Sequence, residues 1–199
     1  MKKEINVGKP SSMNYSILEE EIVYKGFFTI KKAKISHDSF GEDTTVICSR
    51  EVLDKGDCVA ILLYEKDTER LIFINQFRYP TRRNGNGWLE EIPAGAVDDG
   101  EEPKMSVARE VREETGYIIS DPEHIITFYA TPGSSSERTI LYFSEVSSHD
   151  KIFDGGGLSQ EGEDIQLCKY PISKIDTLLQ SSNDAKSIIA LQWFKLNKM

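Results

Sequence analysis

Glu110, Glu113 and Glu114 lie within five residues of one another, directly behind Arg109, in the stretch GAVDDGEEPKMSVAREVREETGY from Gly95 to Tyr117. Placed on a helix, Glu110 and Glu114 fall one turn apart on a single face, and Glu113 flanks them. Like charges at that spacing repel and weaken a helix, so a positive partner is needed to offset them. Oxygen ligands at this density suit a hard divalent cation, magnesium or manganese. A solvated acidic helix face is the ordinary alternative. It leaves unexplained the glycines and the arginine that bracket the cluster.

A short helix must carry these groups. Pro103 sits where a first-turn proline is tolerated, Val107, Val111 and Met105 supply an apolar stripe, and Gly116 is the expected stop. Strands precede it. FFTIKKAKI and TTVICSREV read as strands within about Ile22–Asp54, and Lys55-Gly56-Asp57 breaks the pattern. CVAILLYE and LIFINQFRY are apolar on both faces, as in buried strands, and GWLEEIPAG ends in a turn at Gly95. HIITFYA, RTILYFSEV and IQLCKYPI follow as strands, and ISKIDTLLQ and DAKSIIALQWFKL as amphipathic helices. The glycine-rich loop HDKIFDGGGLSQEGED is expected to be mobile. Strands interleaved with a few helices predict a mixed α/β or α+β sandwich. Residues 1–54 form a strand-rich sub-domain and 55–199 the main domain in this reading.

Bulk properties narrow the partners. The 199 residues carry 33 acidic and 24 basic side chains, a formal charge of -9, which argues against nucleic acid or an anionic membrane as a general partner. The N-terminus MKKEINVGKPSSMNYS has no apolar run typical of a secretory leader, and no window approaches the roughly 20 apolar residues of a membrane span. Cys48, Cys58 and Cys168 lack metal-type spacing and are expected to be reduced and mostly buried, consistent with the cytoplasm.

The spacing Gly95-x5-Glu101-x7-Arg109-Glu110-Val111-x-Glu113-Glu114-x-Gly116-Tyr117 resembles the Nudix box without a departure. That resemblance implies a loop–helix–loop packed on a mixed sheet, with a further helix on the other face: an α/β/α sandwich. It implies that Glu110 and Glu114 are principal metal ligands, Glu113 a ligand or metal–water contact, and the Ala94 carbonyl a further ligand. Arg109 would hold the glutamates by charge-assisted hydrogen bonds. Glu101 is mainly structural in the family.

Outside the box, TPGSSSER is similar to the marker segment of the ADP-ribose pyrophosphatase subfamily, with Thr131 and Ser134 as departures and with Ser136 and Glu137 at substrate-lining positions. The alternative for Glu137 is an ion pair with Arg138. YKGFFTI resembles the segment whose aromatic stacks on adenine, making Phe27 or Phe28 that platform, with a core phenylalanine as the alternative for either. SREVLDKG places Arg50 where an arginine reaches the substrate of the partner subunit, and NQFRYP places Arg78 at a phosphate-binding position. In SQEGEDI, the resemblance makes Glu161 the general base and Glu163 a metal contact, with Asp164 spare and Glu113 the runner-up base. The implied activity is hydrolysis of ADP-ribose to AMP and ribose 5-phosphate with two or three magnesium ions, by a homodimer. NGNG at Asn84–Gly87 and the triple glycine at Gly155–Gly157 look instead like the GDP-mannose branch. A UDP-sugar pyrophosphatase and a module that binds ADP-ribose without cleaving it are the other readings.

Overall fold

A computed structural model describes residues 13–40 and 44–199. The leader reading on residues 1–12 and the part of the first turn at Gly41–Asp43 lie outside them. The chain forms two compact units, one holding the described residues up to Lys55 together with Thr131–Ser136, the other Gly56–Ala130 with Glu137–Met199.

The first unit is an antiparallel meander of β1 (Tyr15–Lys25), β2 (Thr29–Asp38) and β3 (Thr45–Asp54). β1 begins well before Ile22, where sequence reading starts the strands. Three consecutive glutamates, Glu19–Glu21, hide any alternation, and none is required, because every residue of β1 is exposed and only the backbone pairing with β2 defines it. Thr131–Ser136 joins this unit through the end of β3: the Leu53 N–H donates to the Ser134 carbonyl at 2.8 Å and the Ser136 N–H to the Leu53 carbonyl at 3.1 Å.

The second unit is built on β4 (Cys58–Glu65), β5 (Arg70–Phe77), β6 (Trp88–Glu91), β7 (Ala94–Ala96), α1 (Pro103–Thr115), β8 (Glu123–Tyr129), β9 (Arg138–Val146), β10 (Gln166–Pro171), α2 (Ile175–Ser181) and α3 (Ala185–Asn197). The sheet order is β10-β5-β4-β9-β8, with β6 on β5 and β7 on β4. β4 and β9 run parallel and the other pairs antiparallel, so the sheet is mixed, as expected. β4 explains the layering. Val59, Ile61 and Leu63 pack with Val107 and Val111 of α1, while Ala60 and Leu62 pack with α2 and α3 through Ile175, Leu191 and Phe194. A one-residue slip would exchange the two cores, which pins the strand's register.

Three expectations are corrected. Met105 is 64% exposed, because it lies two residues before Val107 and therefore points away from the Val107/Val111 stripe. The cysteines are free but half-buried: Cys48 lies on the open first sheet, Cys58 opens β4, and Cys168 lies on the edge strand β10. The first half of the loop after β9 is tied down. Ile152, Gly156 and Gly157 donate their N–H groups to the carbonyls of Gly116, Glu114 and Glu113 at 2.9, 2.9 and 3.0 Å, satisfying helix-end acceptors that would otherwise need water. Among the described residues no helix is long and apolar enough to cross a membrane.

Candidate active site

The carboxylates occupy an unusual place on α1. Pro103 opens the helix and Gly116, at φ 77°, closes it with its N–H on the Arg112 carbonyl at 3.0 Å. Glu110 and Glu114 lie on the same side as the core residues Val107 and Val111, and are only 9% and 1% exposed. β7 receives them. The Ala94 N–H donates to Glu114 Oε2 at 3.1 Å, and Glu110 lies so close to Gly95 that an added Cβ would meet its Oε1 at 2.0 Å.

Arg109 is the positive partner required by the clustered charges. Its Nη1 donates to Glu110 at 2.7 Å and to Glu113 at 3.4 Å, and its Nη2 to Glu101 and to the Ala96 carbonyl, each at 3.1 Å. Hydrogen bonding to Glu101 leads in raising the Arg109 pKa. The same bond, with one from Ser106 Oγ at 2.7 Å, holds the Glu101 carboxyl down at about 2. Glu101 thus braces the arginine rather than facing the other carboxylates.

Burial drives the inner pair the other way. Desolvation, then repulsion from Glu110, raises Glu114 well above the usual carboxylate range, and Glu163 and Glu91 add to it. Burial also raises Glu110, against the pull of Arg109, with Glu113 and Glu163 again adding. Glu163 is therefore within electrostatic reach of both; its Oε2 accepts the Leu158 N–H at 2.9 Å. Glu161 is exposed on a 3₁₀ turn, Ser159–Glu161, and its side chain makes no hydrogen bond or ion pair among the described residues. Asp164 is exposed as well.

Arg78 follows β5 and comes under the fields of Glu114 and Glu163, with Glu91 its strongest partner. Its Nε donates to Glu91 Oε1 at 2.7 Å. Sequence reading missed Glu91, which is 1% exposed, and Lys186, which donates to Glu91 Oε2 and to Asp184 Oδ1, the latter at 3.0 Å. One signal was available: on α3, Lys186 shares a helical stripe with Ala190 and Phe194, both buried, and a lysine on an apolar face needs a partner.

The remaining candidates are placed separately. In the first unit, Phe27 is 95% exposed and packs edge-on against Phe28 at 4.8 Å, so neither is a core residue. Arg50 projects from β3 and donates to its neighbour, the Ser49 carbonyl, at 2.9 Å. Ser136 Oγ accepts the Lys55 N–H at 2.8 Å. In the second unit, Glu137 is half-buried just before β9, and Arg138 forks onto Asp57 at 2.9 and 2.5 Å.

Two glycines separate fold from function in a testable way. At Gly116 a Cβ would meet the Phe153 carbonyl oxygen at 2.0 Å in a left-handed backbone, so Gly116→Ala is expected to lower the melting temperature by several degrees. Gly95→Ala pushes first on the Glu110 carboxylate, the far end of a side chain rather than backbone. It is expected to leave the melting temperature within about 2 °C and to cut turnover at least tenfold. Thermal denaturation beside steady-state assays checks both.

Residues 54–198 match the NUDIX domain family. The chain is a Nudix hydrolase. It is 33% identical over 190 residues to a GDP-mannose pyrophosphatase of Cronobacter sakazakii, covering 93% of this chain and 97% of that protein. It is 32% identical over 196 residues to an ADP-ribose pyrophosphatase of Haemophilus influenzae, covering 94% and 88%. A crystal structure of an ADP compounds hydrolase shares the fold, with a TM-score of 0.71 at 19% identity over 93% of this chain and 97% of that one. Nudix hydrolases generally use divalent metals, and the chemistry of this donor set suits such an ion: oxygen donors only, two of them on buried side chains. Among the described residues no three acidic, histidine or cysteine side chains already converge as a ligand cage. The Ala94 N–H takes one oxygen of Glu114 and Arg109 one oxygen of Glu110, which leaves each carboxylate a second oxygen.

Proposed function

We propose that this Nudix hydrolase cleaves the pyrophosphate of ADP-ribose to AMP and ribose 5-phosphate. The observation that carries the reading is the buried pair Glu110 and Glu114 on α1, with the half-buried loop residue Glu163 and an arginine, Arg78, in their field. Glu110, Glu113, Glu114, Glu163 and the Ala94 carbonyl would hold two or three magnesium ions, or manganese, which when bound would supply charge neutralisation at the diphosphate and a water of lowered pKa. Arg78 grips a phosphate oxygen. Glu161 takes the proton of the attacking water once its loop closes, with Glu113 as the other base in reach of the ridge. Phe27 or Phe28 stacks on the adenine, Ser136 and Glu137 line the site, and Arg50 of the partner subunit contacts substrate. The exposed Tyr15, Ile17 and Ile22 of β1, with Phe27 in the turn that follows, support a homodimer, since exposed apolar side chains on one small unit favour a covering partner. The reading places the enzyme in the cytoplasm.

GDP-mannose is the second substrate reading, favoured by the Asn84–Gly87 segment and by a relative of equal similarity. Product release from ADP-ribose, GDP-mannose, UDP-glucose and NADH, with magnesium and with chelator, decides. ADP-ribose is expected to give the highest kcat/KM, chelator to abolish it, and Glu161→Gln to lower kcat by about 10²–10⁴. A higher kcat/KM for GDP-mannose replaces the substrate; tight ADP-ribose binding without cleavage replaces the enzyme by a sensor. Sedimentation showing a fully active monomer removes the roles of Arg50 and the phenylalanines.

A further inference from the structure

Arg78 presents a problem that its neighbours solve. A long, half-exposed cation in the field of Glu114 and Glu163 should fold onto those carboxylates and occupy the oxygens a metal needs. It does not. Its Nε is held by Glu91 Oε1 at 2.7 Å, and among the described residues neither terminal nitrogen has a partner. The two-nitrogen edge that forks onto an anion is thus left available, with one end of the guanidinium pinned.

Glu91 is pinned in turn. Its second oxygen takes Lys186 Nζ, and Lys186 is held by Asp184 Oδ1 at 3.0 Å. Asp184 caps α3, accepting from the Ser187 N–H at 3.0 Å and from Ser187 Oγ at 2.5 Å. Ser187 Oγ accepts the N–H of Ile92, the residue after Glu91, at 2.9 Å. Side chain and backbone of the same strand end are therefore clamped to one helical turn. Two carboxylates and two cations balance. Stability alone gives no reason for this choice, because apolar groups of similar volume commonly serve a buried site as well as ion pairs do. What the charges add is a fixed direction for the guanidinium.

We propose that Glu91 and Lys186 are positioning residues that hold Arg78 ready for a diphosphate and keep it off the metal-binding carboxylates. This rests on the phosphate-gripping role given to Arg78 above. The test is a pair of double-mutant cycles, Glu91→Gln and Lys186→Met, each alone and with Arg78→Ala. KM and kcat for the best substrate of the panel are read beside calorimetric binding of inorganic pyrophosphate with magnesium. Each single variant is expected to raise KM and weaken pyrophosphate about tenfold with a smaller change in kcat, and to add nothing to Arg78→Ala. Lys186→Arg, which keeps the charge, should recover most of the loss. Additive losses, or Lys186→Arg as poor as Lys186→Met, overturn the proposal while leaving the hydrolase reading intact. If no substrate of the panel is cleaved, that reading fails, and the pyrophosphate cycle still decides this one. Should Lys186→Met not fold, Lys186→Gln enters the same cycle.

Discussion

Glu114→Gln is expected to lower kcat by roughly a thousandfold, the upper range for removing one preorganised electrostatic group, while raising the melting temperature of the metal-free protein. The two effects share a cause. Glu114 is buried beside Glu110, Glu163 and Glu91, and its ionised form is disfavoured by that burial and repulsion. Glutamine keeps an oxygen for the Ala94 N–H and removes the charge. The gain is about 1–2 kcal/mol at neutral pH, or about 3–6 °C for a chain of this size. The sign of the pH dependence follows from the raised pKa values of Glu110 and Glu114. Their contribution favours the fold below the unfolded carboxylate pKa, and is lost as pH rises through the folded values. The metal-free wild type should therefore lose stability with rising pH along a slope that Glu114→Gln flattens. Magnesium requires the ionised carboxylates, so its stabilising effect should grow over the same range. Calorimetric scans from pH 5 to 8, with and without magnesium, check all three statements. Wild-type turnover by the variant at saturating magnesium would remove the ridge from the mechanism.

The second large effect is on folding. Arg109→Met leaves Glu101, Glu110 and Glu113 with their shared cation gone and the Ala96 carbonyl without its donor. Breaking a fully buried pair costs about 3–5 kcal/mol. Arg109 is 32% exposed and solvent screens part of the repulsion, so about 2 kcal/mol is expected, with a fall in melting temperature near 6 °C. Here the sign is opposite. The Glu101 carboxyl is held at about 2, so the stability it lends through Arg109 is present above the unfolded pKa and lost as pH falls through about 2. The gap between wild type and variant should be widest near pH 7 and narrow below about pH 4. Urea titrations at pH 7 and pH 3 measure it; equal midpoints at pH 7 contradict the bracing role. Arg109→Lys should fall between, because an ammonium cannot fork across several acceptors at once.

Both predictions concern residues that could be found before any coordinates. The helix, its proline start, its glycine stop and the face shared by Glu110 and Glu114 are written in local spacing, since three-to-four-residue periodicity and end chemistry act within a few turns. The doubly buried β4 was readable for the same reason, as an apolar run with no polar face. Local grammar of this kind specifies the acidic ridge, the arginine beside it and the strands that carry them. What those groups meet is a matter of long-range packing. Glu91 and Lys186 are 95 residues apart, and no periodicity joins them. The glycines at 155–157 read as slack in the chain, yet the N–H groups of Gly156 and Gly157 complete the end of α1. Exposed β1 had no pattern to read, because its strand comes from pairing with β2. Local pattern states which side of an element is turned inward; which inward sides come to face each other is settled by packing the whole chain at once.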